Sequence, residues 1–151
     1  MPIRCEIVSQ DRMVWEGDAD IVILPGVAGE MGILPNHAPL LSTLKIGILT
    51  VRSKGQEEVF TVGGGVVEVQ PNLITVLADS AENVAEIDVA RAEAARQRAE
   101  ELLKHGPEQD TDSYMKLEAA LRRSHLRLDA VRRFRGTQFG GMPRTRGPET
   151  E

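Results

Sequence analysis

Along this chain the hydrophobic positions change period once. Up to about Asp79 they alternate with polar ones in short runs broken by Gly, Pro and Asn, whereas from Asp88 onward they recur every three or four residues. The first pattern is that of half-buried strands and the second that of amphipathic helix. Strands are predicted at 3–8, 13–16, 20–24, 46–51, 58–62, 66–70 and 73–77. Strands this short and closely spaced point to a sandwich or barrel of antiparallel neighbours. Val67 and Val69 face one way there while Glu68 and Gln70 face the other. Ser53-Lys54-Gly55-Gln56 and Pro71-Asn72 lie between apolar runs and read as hairpin turns.

The second pattern reads as two helices. Asp88 is placed to cap the first, whose interior holds Ala90, Ala92, Ala94, Ala95 and Ala99, and Gly106-Pro107 is placed to end it. The second is expected to begin near Asp112-Ser113 and to carry Leu117, Leu121, Leu128 and Val131 on one stripe. The inner stripe of the first arm, Ala92, Ala95, Ala99 and Leu102, is mostly alanine. At about 0.8 kcal/mol for each buried methylene, alanines in place of leucines remove several kcal/mol of adhesion. A helical hairpin held this weakly is suited to opening.

Two glycine-rich places could carry chemistry. Gly63-Gly64-Gly65 is followed by neither Lys-Ser nor Lys-Thr and opens no helix, so it is expected to bend or bulge a strand, not to cradle phosphate. The run from Gly29 to Leu41 reads as a connecting region in which Met31 and Leu34 either tuck into the core or present a docking surface.

Composition narrows the picture. Aromatics make up only 3% of the 151 residues, so the core must be aliphatic. The single Cys5 supports neither a disulfide framework nor a cysteine metal site and suits a reducing compartment. The N-terminal residues resemble neither a signal nor a transit peptide, and no run approaches the roughly 20 apolar residues of a membrane span, so membrane association is expected through partners. Charge is divided: residues 1–84 carry 5 basic and 11 acidic side chains, 86–112 carry 4 and 8, and 116–146 carry 9 and 2. The arms are electrostatic opposites, which favours their lying together and lets an acidic surface elsewhere capture the second.

His37, His105 and His125 have no Cys or His at metal spacing, and no Ser-His-Asp set can be assembled. His37 reads as a hydrogen-bonded loop histidine. No enzymatic activity is expected, and no cofactor is required.

Taken in order, Gly29-Glu30-Met31-Gly32-Ile33-Leu34-Pro35-Asn36-His37-Ala38-Pro39-Leu40-Leu41, then the run from Gly63 to Pro71, then Ala78-Asp79-Ser80-Ala81 and Ile87-Asp88-Val89-Ala90-Arg91-Ala92 resemble the epsilon subunit of the F-type ATP synthase, from about Ile3 to about Val131. The resemblance implies a β + α architecture. A flattened antiparallel β-sandwich of about ten strands would fill 1–84, a helical hairpin 85–134, and 135–151 would be an unstructured tail. It implies the gamma subunit, the membrane c-ring and the alpha/beta catalytic head as partners, with Glu30 and Met31 near the ring and His37 near gamma. The chain would be a peripheral component on the cytoplasmic side of the cell membrane.

It further implies a regulatory ATP, bound in some members at the base of the folded hairpin. Glu82, Ile87, Asp88, Arg91, Ala92 and Arg98 occupy the first-arm positions, and Arg123 and Arg127 the second-arm ones; Lys116 stands where the family has arginine. When the arm extends, Arg122, Arg123, Arg127, Arg132 and Arg133 would face an acidic region of the head and block hydrolysis. A competing reading, a nucleic-acid-binding protein using the basic arm and tail, is opposed by the acidic first half and by basic residues whose only rings are Phe134 and Phe139.

Overall fold

A computed structural model describes residues 1–105 and 110–135. Its first part is built from β1 (Ile3–Val8), β2 (Met13–Ala19), β3 (Ile21–Gly26), β4 (Gly29–Ile33), β5 (Leu40–Ser53), β6 (Gln56–Gln70), β7 (Leu73–Ala78) and β8 (Ala81–Asn83). The period-2 signal has its physical cause in the core. Ile3, Cys5 and Ile7 of β1, Val67 and Val69 of β6, and Ile74 and Val76 of β7 are all buried, with polar or exposed residues between them. The hydrogen-bonded order is β2-β1-β7-β6-β5-β3-β4, with β8 paired to β6. The sheet folds over itself: β2, at one end of that order, touches β5 and β8, and Trp15 of β2 meets Phe60 of β6 with ring centroids 6.3 Å apart. This is sandwich packing, with one aliphatic core between the layers.

In place of about ten strands there are eight among the described residues, two of them long: β5 and β6 have 14 and 15 residues. The expected 58–62 and 66–70 strands are one strand, joined through Gly63, Gly64 and Gly65. Here β6 exchanges partners: Gly65 to Gln70 pair with β7, and Phe60 to Val62 with β8. Gly64 and Gly65 have φ of +97° and +138°, and a side chain on Gly65 would collide with the Leu77 carbonyl. The expectation of a bend that re-aims the strand is met.

Neighbours are antiparallel, with the single exception of β1 and β7 among the described residues, which run parallel. The β5–β6 turn is Lys54-Gly55, both with positive φ (51° and 76°), the geometry a two-residue hairpin needs. Part of the region read as connecting is a strand: β4 pairs with β3, Ile33 is buried, Met31 packs partly against the core, and Leu34 stays 57% exposed. Glycines and prolines around it masked the alternation. Met31 thus tucks partly into the core, while Leu34 does not.

A short 3₁₀ turn (Val84–Glu86) leads to α1 (Val89–Lys104), and α2 (Thr111–Ala130) runs on into a π-helical turn (Val131–Arg135). The second helix begins slightly earlier than expected because Asp110 is its cap, accepting a 2.7 Å hydrogen bond from the Ser113 amide, which holds the Asp110 carboxyl below its usual range. In the first arm Ala92 and Ala99 are buried, but Leu102 is 49% exposed and lies off the seam. The most covered interior residues of α2 are likewise small, Ser124 and Ala130, and the Ser124 hydroxyl is satisfied by the Ala120 carbonyl at 3.0 Å. Opposite charge was expected to help join the arms, yet Arg96 pairs with Glu93 and Glu100, Arg122 with Glu118 and Arg132 with Asp129, each within its own arm. Side chains three or four apart on one helix meet more readily than any across the seam. The expected Gly106-Pro107 stop, and the expected tail after Arg135, lie outside the described residues.

Candidate functional site

The chain crosses from sandwich to hairpin at residues 83–88, and the local sequence fixes each step. Asn83 accepts a 2.9 Å hydrogen bond from the Ala85 amide and caps the 3₁₀ turn; Asp88 accepts one of 3.0 Å from the Arg91 amide and caps α1. Between them Val84 and Ile87 point inward. They join Val59 and Ala130 in a second, smaller core, against which Ile48, Val131 and Phe134 pack. The hairpin is therefore docked through the far end of its second arm. Two polar contacts reinforce this: Arg127 Nε donates to Glu82 Oε2 at 2.8 Å, and Arg135 Nη2 donates to the carbonyls of Ala85 (3.0 Å) and Ile87. Arg135 was expected to open the unstructured tail; its side chain reaches back to the hinge instead.

Above the Arg127–Glu82 pair lies a cavity of about 210 Å³ between α2, the β1–β2 turn and the β6–β8 edge. Glu82, Arg123 and Arg127, three of the eight residues expected to bind nucleotide, line it together. The other five do not. Ile87 is spent on the second core, Ala92 is 2% exposed within the protein, and Asp88 serves as a cap. Arg91 and Arg98 are exposed on α1 without a side-chain partner among the described residues. In place of these, the cavity recruits Arg12, Thr61 and Ser80 from the sandwich. No sequence signal marks Arg12, because only the folding of β1–β2 brings it opposite α2.

A larger recess of about 430 Å³ separates the arms near their base, with Glu93 and Arg96 from α1 and His125 and Asp129 from α2 on its walls. The hydrogen bond from Arg96 holds the Glu93 carboxyl below its ordinary range, with a weaker pull from His125 across the seam. The same pairing raises Arg96.

The partner-facing candidates are spread out. Glu30 is exposed on β4, opposite Pro25, with half-buried Met31 beside it. His37 sits in a turn braced by positive-φ Asn36, whose amide donates to the Pro71 carbonyl at 3.0 Å; its Nδ1–H donates to the Ala38 carbonyl at 2.7 Å. That is the hydrogen-bonded loop histidine expected from sequence. On α2 and its extension, Arg122 and Arg132 are held only loosely, 4.0 and 3.9 Å from their carboxylates and largely exposed, and Arg133 lies 5.4 Å over the Phe134 ring.

Family models match both modules: one described as the ATP synthase delta/epsilon chain beta-sandwich domain covers residues 2–84, and one described as the long alpha-helix domain of the same chain covers 85–132. The chain belongs to the ATP synthase delta/epsilon family. Relatives called ATP synthase epsilon chain agree. That of Herpetosiphon aurantiacus is 42% identical over 138 residues, covering 91% of this chain and 100% of its own length. That of Bordetella petrii is 42% identical over 137 residues, covering 90% and 96%, and that of Pelotomaculum thermopropionicum 52% over 100 residues, covering 66% and 75%. The fold also resembles a chain in the Euglena gracilis mitochondrial ATP synthase, solved as OSCP/F1/c-ring (TM-score 0.60, 20% identity, 91% of this chain and 81% of that one). A chain of the Tetrahymena thermophila central stalk and c-ring gives a TM-score of 0.55 at 15% identity, covering 87% and 97%. The delta/epsilon assignment spans both halves of the molecule, and its two family boundaries meet within the 83–88 crossing.

Proposed function

We propose that this chain is the epsilon subunit of a rotary ATP synthase, a non-catalytic part of the central stalk that joins gamma and the c-ring through its sandwich and restrains ATP hydrolysis through its hairpin. The observation that carries this reading is the pairing of a family-matched sandwich with a family-matched hairpin docked by one small core and a few polar contacts. A docking contact of that size lets a partner with modest differential affinity decide between folded and extended arms. Among the described residues no helix is long and apolar enough to cross a membrane, so placement at the cytoplasmic face of the membrane would come from the ring and gamma. The loosely paired Arg122 and Arg132, with Arg133, form the face offered to the acidic head when the arm extends. Family membership leaves the nucleic-acid alternative without support.

ATP is the proposed ligand of the folded hairpin, through Arg91, Arg98, Arg123 and Arg127, with Glu82, Ile87, Asp88 and Ala92 around the base. Deleting the chain after Glu86 should leave the assembled complex intact and raise its ATPase activity; unchanged activity refutes the inhibitory role. For the ligand, millimolar ATP should raise the melting temperature of the full chain, and Arg91→Gln should remove most of the rise. Asp88→Ser keeps a capping oxygen while deleting the carboxylate, so it separates a nucleotide contact from the cap.

A further inference from the structure

We propose that an apolar strip on the outer face of β3 and β5 is a docking surface for the 16 residues that follow Arg135, with Phe139 and Met142 as the contacting side chains. Ile21 and Ile23 of β3 alternate with Val22 and Leu24, which fill the core, so they project from the opposite face of the sheet. Ile46 and Ile48 of β5 project the same way, because Leu49 and Val51 point into the core. Ile23 lies opposite Thr50, one place along the same face from Ile48, so the isoleucines of the two strands are diagonal neighbours. On the other side of Ile23 stands Gly32 of β4, which has no side chain to cover it.

Ile21, Ile23 and Ile48 are half-buried and Ile46 is 41% exposed. A sheet face turned to water ordinarily carries polar residues, and single exposed apolar ones need no explanation. Four isoleucines on two adjoining strands form a patch, and patches mark contacts.

Three observations choose the occupant. The strip is continuous with the contact that docks the hairpin, since Ile48 packs in the small core beside Val131 and Phe134. The chain leaves that core at Arg135, whose guanidinium is fastened to the carbonyls of Ala85 and Ile87, so the next residues start from a fixed point beside the strip. Reach is sufficient: Phe139 is four residues on, about 13 Å of extended chain, whereas the two strand spacings from Val59 of β6 across β5 to β3 amount to about 10 Å. The segment is otherwise polar or glycine- and proline-rich, and the matched family domains end at residue 132, so it is an addition to the shared architecture. The contact belongs to the free chain and does not depend on what the hairpin does in a larger assembly.

The test places p-benzoylphenylalanine at Phe139 of the full chain and irradiates it. A product of single-chain mass, attached within 21–26 or 46–50, supports the contact. Attachment to the helices, to β1 or β7, or to a second chain overturns it, as does the absence of a single-chain product. Thermal unfolding gives an independent reading. Deleting 136–151 should lower the melting temperature by about 2–4 °C. Ile23→Thr, which keeps the β-branched shape, should lower it in the full chain and by clearly less in the shortened one, because the two changes remove one shared contact. Equal shifts from Ile23→Thr in both chains, or a deletion that leaves the melting temperature unchanged, overturn the proposal.

Discussion

Arg135 Nη2 donates to the carbonyl of Ile87, 48 residues earlier in the chain, and to that of Ala85. The last turn of the second arm is thereby fastened to the segment on which the hairpin would pivot. Replacing Arg135 by Ala is expected to weaken docking of the arm by about 1 kcal/mol, the worth of a charge-assisted bond near the surface. Arg135→Lys keeps the charge without the fork and should fall between. Hydrogen exchange of the amides at the end of α2 reads the difference; identical exchange in the Ala variant would show that the contact holds nothing.

Glu82 and Arg127 make the other polar link between sandwich and hairpin, with side chains 29% and 41% exposed. Partly wet pairs of this kind contribute little, so a double-mutant cycle through Glu82→Gln and Arg127→Gln should return a coupling of about 0.5–1 kcal/mol in urea unfolding. The coupling should shrink further in high salt. A coupling of zero would leave the small apolar core as the main docking force.

Gly65 is required by its backbone and by its surroundings. Its φ of +138° disfavours any side chain, and the Leu77 carbonyl stands where a Cβ would be. Gly65→Ala is expected to destabilise the sandwich by about 2 kcal/mol or more. Gly55→Ala meets the strained φ but nothing within 4 Å, and should lose only about 1 kcal/mol. Equal losses in urea melts would mean that the collision at β7 is relieved by movement of the strand.

Burial pushes the Cys5 thiol up to about 12, with Glu6 adding to the rise and Arg4 opposing it. The folded state therefore favours the neutral thiol more than the unfolded state does. Its contribution to stability is complete below the ordinary value of 9.0 and is lost as pH climbs from there towards about 12. At pH 8 the native chain should resist iodoacetamide while the urea-unfolded chain reacts readily. Rapid alkylation of the native chain at that pH would show that β1 opens far more often than its buried position implies.

Alternation at Val67 and Val69, the turn residues Lys54-Gly55 and Pro71-Asn72, and the cap at Asp88 act over a few residues, so the amino-acid sequence alone determined them, together with the two-module plan. β4 was hidden because Gly29, Gly32 and the nearby prolines outweigh a five-residue alternation, while its pairing with β3 supplies what its propensity lacks. Nor does periodicity disclose the parallel β1–β7 pair, since strand direction depends on the path of the intervening chain. The site shows the same division. Arginines on α2 could be picked out by type and spacing, but whether they meet Arg12, Glu82 or each other is set by the docking of Ala130, Val131 and Phe134 on Val84 and Ile87. Local hydrogen bonding and hydrophobic period are written in neighbouring residues; which charged groups share a cavity is decided only when distant segments pack, because a side chain's field depends on distance in space and not along the chain.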